Sequence, residues 1–266
     1  MRHVGAIAGR ELKSLFASPV AYAVLVLFAV LAGFFFLTGI LQFQDYVARM
    51  QMFRAAEQLA ELNVNDHVIA PFIHVMGVVL LFLIPGITMA LFAAEKANGT
   101  QELLLTSPIT IWELVAGKFL AAAAFVTLLV VLLGIYPAIL FRYGDPEVGK
   151  TLAGLGGIWL LGLAYAAVGC FASSVTRNQL IAFFLAFVIL LVLWMIGFVA
   201  QLGAASGIGG SLGETVSSAM RWLSTAEHFE SMLMGLIETK HVAYFAAVVA
   251  ASLIITKTAV ESVRWR

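Results

Sequence analysis

Long apolar runs, separated by shorter polar stretches, dominate this sequence. A helix needs about 20 apolar residues to cross roughly 30 Å of hydrocarbon, and six runs reach that length. The predicted spans are residues 20–41, 72–94, 118–141, 154–175, 179–201 and 241–260. We therefore predict an all-α, polytopic membrane protein in which residues 1–266 form a single transmembrane domain.

The segment before the first span, residues 1–19, mixes polar and apolar positions at helical spacing. Its apolar side chains fall near one helical face: Val4, Ile7, Leu12, Leu15 and Phe16. Arg10, Glu11 and Lys13 fall elsewhere, which predicts an amphipathic helix lying in the membrane interface. Ser18-Pro19 ends this helix, because Pro disfavours helical geometry at the residue before it. A cleaved signal peptide is the alternative, but the next apolar run is too long and lacks a small-x-small cleavage site.

The regions between the spans carry four further predictions. Residues 42–70 read as a helical extension of the first span, and Pro85-Gly86 as a kink in the second. The turn at 176–179 is so short that the fourth and fifth spans form an antiparallel hairpin. After a Gly/Ser run, residues 202–240 place apolar side chains at helical spacing, which predicts extracytoplasmic re-entrant or interfacial helices.

Composition supports the membrane assignment and limits the partners. The chain is 62% hydrophobic and 11% charged, with a mean hydropathy of +1.01. An ordinary soluble domain is about 45–50% apolar and about 25% charged. With 15 basic and 15 acidic residues the net charge is zero, and no clustered basic surface indicates nucleic-acid binding.

Loop charge sets the predicted orientation. Six spans put both termini on the same side, and that side holds nine of the 15 basic residues. The positive-inside rule places the richer side in the cytoplasm. We therefore predict an inner-membrane protein with both termini in the cytoplasm, together with the loop at residues 95–117.

Two motif matches point to other functions but lack the scaffold that those functions need. Gly144–Thr151 matches the phosphate-loop pattern G-x-x-x-x-G-K-[ST], with Lys150 at the lysine position. That loop joins a strand to a helix in a nucleotide-binding domain, whereas predicted spans flank this one. The segment 209–213 matches the nucleophile elbow G-x-S-x-G around Ser211, so a membrane-embedded serine hydrolase stays an alternative, with His228 downstream.

The predicted spans carry almost no ionisable residues. Intramembrane charges mark ion and proton pathways, so their scarcity weakens the other alternative, an ion-coupled secondary transporter. The histidines show no metal-ligand spacing, and neither a metal nor a cofactor is predicted for the chain. We therefore expect the energy for transport to come from another protein.

The loop at residues 95–117 is too short to be a domain and too patterned to be a slack linker. Gly99 permits a tight turn, and Thr100 can cap a short helix after it. Ser107 can cap the next helix, with Pro108 at its first position. The three consecutive leucines between these two caps favour a protein interface over an ordinary connector.

The same loop resembles the intracellular loop of ABC-2-type transporter permeases, through the pattern Glu95-x-x-x-Gly99-Thr100-x-Glu102-Leu103-Leu104-Leu105-Thr106-Ser107-Pro108. Within that family it is most similar to the branch of the gliding-motility-associated and nitrous-oxide-reductase-maturation permeases. Other segments share the resemblance, so that it covers essentially the whole chain: 11–14 with 18–19, 169–179, and 228–244.

This resemblance implies a fold, partners and site residues. It implies a type-V ABC exporter-like half-transporter with six spans, an N-terminal interfacial helix and a short cytoplasmic coupling helix. Two permease copies would pair, with the second and fifth spans lining the pathway, and each copy would dock on a separate ATP-binding subunit. The ATPase-coupling role is carried over onto Glu95, Gly99, Thr100, Glu102, Leu103, Leu104, Thr106, Ser107 and Pro108.

The sequence thus predicts the permease subunit of an ATP-driven exporter that is not itself an enzyme. ATP would be used by the partner subunit, and membrane lipid would surround the chain. The resemblance also allows an auxiliary membrane protein with an extracytoplasmic domain.

Overall fold

A computed structural model describes residues 2–52, 63–100, 109–144, 146–205 and 210–264. All regular structure in these ranges is helical. The α-helices are α1 (Arg2–Ala17), α2 (Pro19–Met52), α3 (Ala70–Thr88), α4 (Ala90–Ala97), α5 (Ile111–Tyr143), α6 (Val148–Val175), α7 (Gln179–Ala205), α8 (Gly210–Leu223), α9 (Thr225–Leu233) and α10 (Thr239–Arg264). A π-helical turn, Asn65–Ile69, leads directly into α3.

Within the described ranges, six helical segments are long and apolar enough to cross a membrane, which confirms the predicted fold class. They are α2, the segment Asn65–Ala97 that contains α3 and α4, α5, α6, α7 and α10. Each helix is longer than its predicted apolar run. The prediction counts only apolar residues, whereas the helical backbone continues into the polar residues on either side. Where the bilayer boundaries lie along these helices stays a prediction.

The expected helical extension of the first span over residues 42–70 is wrong for Asn65–Ile69. The described part of α2 ends at Met52, whereas Asn65–Ile69 already belongs to the second long segment. The Asn65 amide donates to the Glu147 carbonyl (2.9 Å) and to Thr151 Oγ1 (3.0 Å), and the Glu147 N–H donates to Asn65 Oδ1 (2.7 Å). These bonds fix the start of the second segment against the start of α6.

Helix α6 is the centre of the bundle. In its most apolar window 67% of the residues are buried, against 22% in α2, α7 and α10. Glycines allow its neighbours to approach: a Cβ added at Gly162 would lie 2.6 Å from Val126 Cγ1, and one at Gly157 would lie 3.0 Å from Met232 Cβ. Close approach at small residues is how membrane helices gain packing energy without a hydrophobic driving force.

The predicted break at Ser18-Pro19 is present. α1 ends at Ala17, α2 begins at Pro19, and the Val20 N–H donates to Ser18 Oγ (3.3 Å). α1 then packs along the first turns of α5, where a Cβ at Gly117 would lie only 2.7 Å from Ile7 Cβ. The N-terminal helix is thus docked on the protein at the point where the chain leaves the 95–117 loop.

Short helices also occupy the predicted region 202–240. Ser224 caps α9, since its hydroxyl accepts from the Glu227 N–H (3.4 Å), and Gly235 ends the turn after α9 with a φ of 85°. The Phe229 side chain of α9 is fully buried against α6. The predicted antiparallel hairpin is present as α6 and α7, joined by residues 176–178.

Candidate coupling site

The loop that the sequence singles out is described at its two ends, Glu95–Thr100 and residues 109–117. The predicted short coupling helix and six of its site residues lie outside the described residues: Glu102, Leu103, Leu104, Thr106, Ser107 and Pro108. Their roles stay predictions. The described part of the site consists of the contacts that fix the two ends of the loop.

At the first end, Gly99 closes helix α4. Its φ of 71° lies in the left-handed region, where glycine has no steric penalty. The Thr100 N–H donates to the Glu95 carbonyl (3.1 Å), and the Asn98 N–H donates to the Ala94 carbonyl (3.0 Å). The bond from Thr100 to Glu95 is the one that defines a Schellman helix end. The predicted tight turn at Gly99 is present, and Thr100 contributes to ending α4.

At the second end, α5 begins later than predicted. The predicted helix starts at Pro108 with Ser107 as its cap, whereas the described helix starts at Ile111 with Thr110 as its cap. The Glu113 N–H donates to Thr110 Oγ1 (3.2 Å), and the Thr110 N–H donates to Glu113 Oε2 (3.1 Å). Thr110 and Glu113 form the reciprocal capping box S/T-x-x-E, which satisfies two backbone donors at once.

Lys118 joins the two ends. Its side chain is 1% exposed, and its ammonium contacts Glu95 Oε1 (2.8 Å), Glu11 Oε1 (3.2 Å) and the Leu91 carbonyl (2.6 Å). An ammonium has three N–H donors, so these three acceptors satisfy it completely. The Phe92 ring lies 5.2 Å from the same nitrogen. One buried cation therefore connects α1, α4 and α5.

Arg10 completes this cluster from the exposed side of α1. Its guanidinium contacts Glu11 Oε1 (3.0 Å) and Glu95 Oε1 (3.5 Å), while its side chain stays 59% exposed. Glu11, which the sequence places away from the apolar side of α1, is 13% exposed and faces Lys118. Lys13 is exposed. The interfacial role of Arg10, Glu11 and Lys13 stays a prediction.

The segment leading into the loop is broken where α3 meets α4. Pro85 lies inside α3 and lacks an N–H, and the helix is interrupted at Met89, near the predicted kink at Pro85-Gly86. Ser173 of α6 satisfies the backbone groups that this break exposes. Its hydroxyl accepts from the N–H groups of Phe92 and Ala93 (3.0 Å each) and donates to the Met89 carbonyl (2.8 Å).

Two further contacts hold the break against α6. A Cβ added at Gly169 would lie 2.0 Å from Thr88 Oγ1, so only glycine lets the two helices come this close. About two turns beyond the break, the Lys96 ammonium donates to the Ser174 carbonyl. The described start of the loop is thus bonded to the central helix, and its end is bonded to α1 through Lys118.

The two motif matches lie elsewhere in the fold. Lys150 contacts Asp66 (3.4 Å) and Glu147 (3.4 Å), and helix α6 begins at Val148, inside the phosphate-loop pattern. The described residues contain no strand that could precede such a loop. This segment therefore serves the contact between α6 and the start of the second span.

The nucleophile-elbow match has no elbow in its described part. Ser211 lies near the start of helix α8 rather than after a strand, and both ring nitrogens of His228 are occupied. His228 Nε2 lies 2.9 Å from the Trp222 carbonyl, and its Nδ1 lies 2.8 Å from Nδ1 of His241. This arrangement is a buried packing contact and leaves no ring nitrogen of His228 for a serine.

A comparison with protein-family models decides the family. The model described as ABC-2 family transporter protein matches residues 5–261, nearly the whole chain. The chain belongs to the ABC-2 transporter family. A search of the curated proteins found no match.

As an ABC-2 permease, the chain is the membrane subunit of an ABC transporter and is not catalytic by itself. The family match therefore excludes the serine-hydrolase alternative. It gives no support to the secondary-transporter alternative. The family also implies an ABC ATP-binding partner in general terms.

Sequence reasoning missed the cluster around Lys118. Two signals could have indicated it. Ile7 and Glu11 are four residues apart and so share one face of α1, and Gly117-Lys118 offers a small residue beside a cation at the start of an apolar helix. Pairing these two faces would have predicted the observed contact.

Proposed function

We propose that this ABC-2 permease is the translocating subunit of an ATP-driven exporter, coupled to separate ATPase subunits through its loop at residues 95–117. Closure of the ATPases would move the loop, and the loop would move the helices to which it is bonded. The observation that carries this proposal is the Lys118 cluster. It joins both ends of the loop to α1 through contacts of 2.8 and 3.2 Å.

The break between α3 and α4 supports the same proposal. A loop that only connected two spans would not need backbone donors fixed by a side chain of a third helix. Ser173 makes that connection, so a displacement of α4 would be passed to α6, the most buried helix. Buried contacts of this kind have discrete arrangements and transmit displacement rather than absorb it.

The finer features of the proposal follow from the resemblance. Two copies would pair with the second and fifth spans at the pathway, and the chain would lie in the inner membrane with cytoplasmic termini. The branch of the gliding-motility-associated and nitrous-oxide-reductase-maturation permeases is the proposed subgroup. An auxiliary membrane protein with an extracytoplasmic domain is proposed as an additional partner.

Co-purification of the intact chain with its ATPase tests the coupling role. We expect Leu103→Asp combined with Glu102→Lys to abolish association, because the change puts a charge into the proposed leucine interface and reverses its carboxylate. The matched control is Leu236→Asp with Lys240→Glu, which makes the same kinds of change in an exposed segment at α10's start. Retained association in the loop variant, or equal loss in the control, would contradict the proposal.

A further inference from the structure

A cavity of about 450 Å³ lies between α1, the start of α2 and the segment around the α3–α4 break. Its walls are mainly apolar. They are formed by residues from these helices, among them Leu15, Val20, Ala21, Ile87, Ala90 and Leu91. At one end of the cavity lie the four charged residues of the Lys118 cluster. An apolar compartment ending in charge has the chemistry of a site for an amphiphile.

The two cations and two carboxylates at that end give a net charge of zero. They differ in how accessible they are to a ligand. Lys118 is buried, and its three donors are already used. Arg10 is 59% exposed and has five donors, of which only those on Nη2 make the ion pairs described. One oxygen each of Glu11 and Glu95 accepts from Lys118, and within the described residues the other oxygen makes no hydrogen bond. Counting only partners within the described residues, the site offers donors from Arg10 and acceptors from two carboxylates.

The apolar part has room for a chain. A Cβ added at Gly86 would meet no atom within 4 Å, and Val20, which lines the same cavity from α2, is 50% exposed. Gly86 follows Pro85 inside α3, three residues before the break at Met89, so the missing side chain widens the cavity between α2 and α3. The space beside Gly86 is therefore open to a methylene group of an acyl chain.

We propose that this cavity binds one phosphatidylethanolamine molecule. Its primary ammonium would donate to the free oxygens of Glu11 and Glu95, its phosphate would accept from Arg10, and an acyl chain would lie along Gly86. Charge favours this headgroup, because an anionic lipid would face two carboxylates with only one accessible cation. A choline headgroup has no N–H donors for those carboxylates, so it would be bound less tightly.

Lipid binding in this cavity does not depend on the coupling role of the loop. Its readout is lipid bound to the purified chain and requires no ATPase. Failure of ATPase association would therefore leave the lipid site standing, and failure of lipid binding would leave the coupling proposal standing.

Native mass spectrometry of the intact, delipidated chain in detergent tests the site. The probes are phosphatidylethanolamine, phosphatidylcholine and phosphatidylglycerol with matched acyl chains, added at equal concentration. We expect one phosphatidylethanolamine to bind about tenfold more tightly than either other lipid, as loss of a charge-assisted hydrogen bond predicts. Equal binding of the three lipids would overturn the proposal.

Two variants locate the bound lipid. We expect Gly86→Leu, which fills the acyl wall, and Arg10→Gln, which removes the phosphate contact, each to weaken phosphatidylethanolamine binding about tenfold. The matched control is Gly156→Leu in α6, where an added Cβ also meets no atom within 4 Å. Retained binding in Gly86→Leu, equal weakening in Gly156→Leu, or a Gly86→Leu change in dimer fraction with unchanged lipid binding would each overturn the proposal.

Discussion

Two buried polar clusters at opposite ends of α6 are built on different chemistry. Near its end, around Ser173, the Lys118 cluster combines two cations and two carboxylates with the backbone of a broken helix. Near its first half, the histidine pair of α9 and α10 is held by single hydrogen bonds, including His228 Nδ1 to His241 Nδ1 (2.8 Å). Removing one partner should therefore have very different consequences at the two ends.

The difference follows from what is left behind. An ion pair in a poorly solvated site leaves an uncompensated charge when one member is lost, whereas a neutral pair leaves only one unsatisfied polar atom. The charged cluster thus holds its helices in one arrangement. This rigidity suits the end of the bundle at the 95–117 loop, which we propose the ATPases move. The neutral cluster at the other end serves packing, together with Tyr244, whose hydroxyl donates to the Leu223 carbonyl (2.7 Å).

Lys118→Met should have the largest effect. It leaves Glu11 and Glu95 without their shared buried cation, and we expect the free energy of unfolding to fall by about 3–5 kcal/mol. The measurement is reversible unfolding of the intact chain in mixed micelles. Adding Glu11→Gln and Glu95→Gln should recover much of the loss, since no carboxylate is then left without the buried cation. Arg10 loses both ion-pair partners in this variant, but its side chain is 59% exposed and stays solvated. A loss under 1 kcal/mol for Lys118→Met would show that the two clusters do not differ in this way.

Ser173→Ala should have an intermediate effect. It leaves the N–H groups of Phe92 and Ala93 without their side-chain acceptor, and we expect a loss of about 2–3 kcal/mol in the same unfolding assay. Ser174→Ala is the matched control, because the Ser174 hydroxyl donates only to the Phe171 carbonyl of its own helix. If both alanine variants are equally stable, the α3–α4 break does not depend on Ser173.

His241→Leu should have the smallest effect. It removes the Nδ1–H that donates to His228 and leaves one buried acceptor, and we expect a loss of about 1–2 kcal/mol. The Trp222 carbonyl only accepts, so His228 Nε2 donates to it, which leaves His228 Nδ1 as the acceptor for His241. A loss as large as that of Lys118→Met would mean that the histidine pair is charged, and the contrast between the two ends would fail.

Parts of the coupling site could be predicted from sequence because they depend on residues close together in the chain. The break at Ser18-Pro19 depends on neighbouring residues, and so does the turn at Gly99. The sequence predicts that α5 starts at Pro108, three residues before its observed start at Ile111. The residues that set the observed start are also close together in the sequence. Thr110-x-x-Glu113 satisfies two donors, and the stronger cap determined the boundary.

The sequence by itself determined the helical class, the number of long apolar segments and the family, since these depend on composition, length and short patterns. Tertiary structure decided which side chains meet: Lys118 with Glu11 and Glu95, and Ser173 with the backbone after Met89. The physical reason is that lipid and protein interior are both apolar. An apolar helix therefore carries little periodicity to show which face is buried, and the partners of a buried polar group become visible only when the helices are packed.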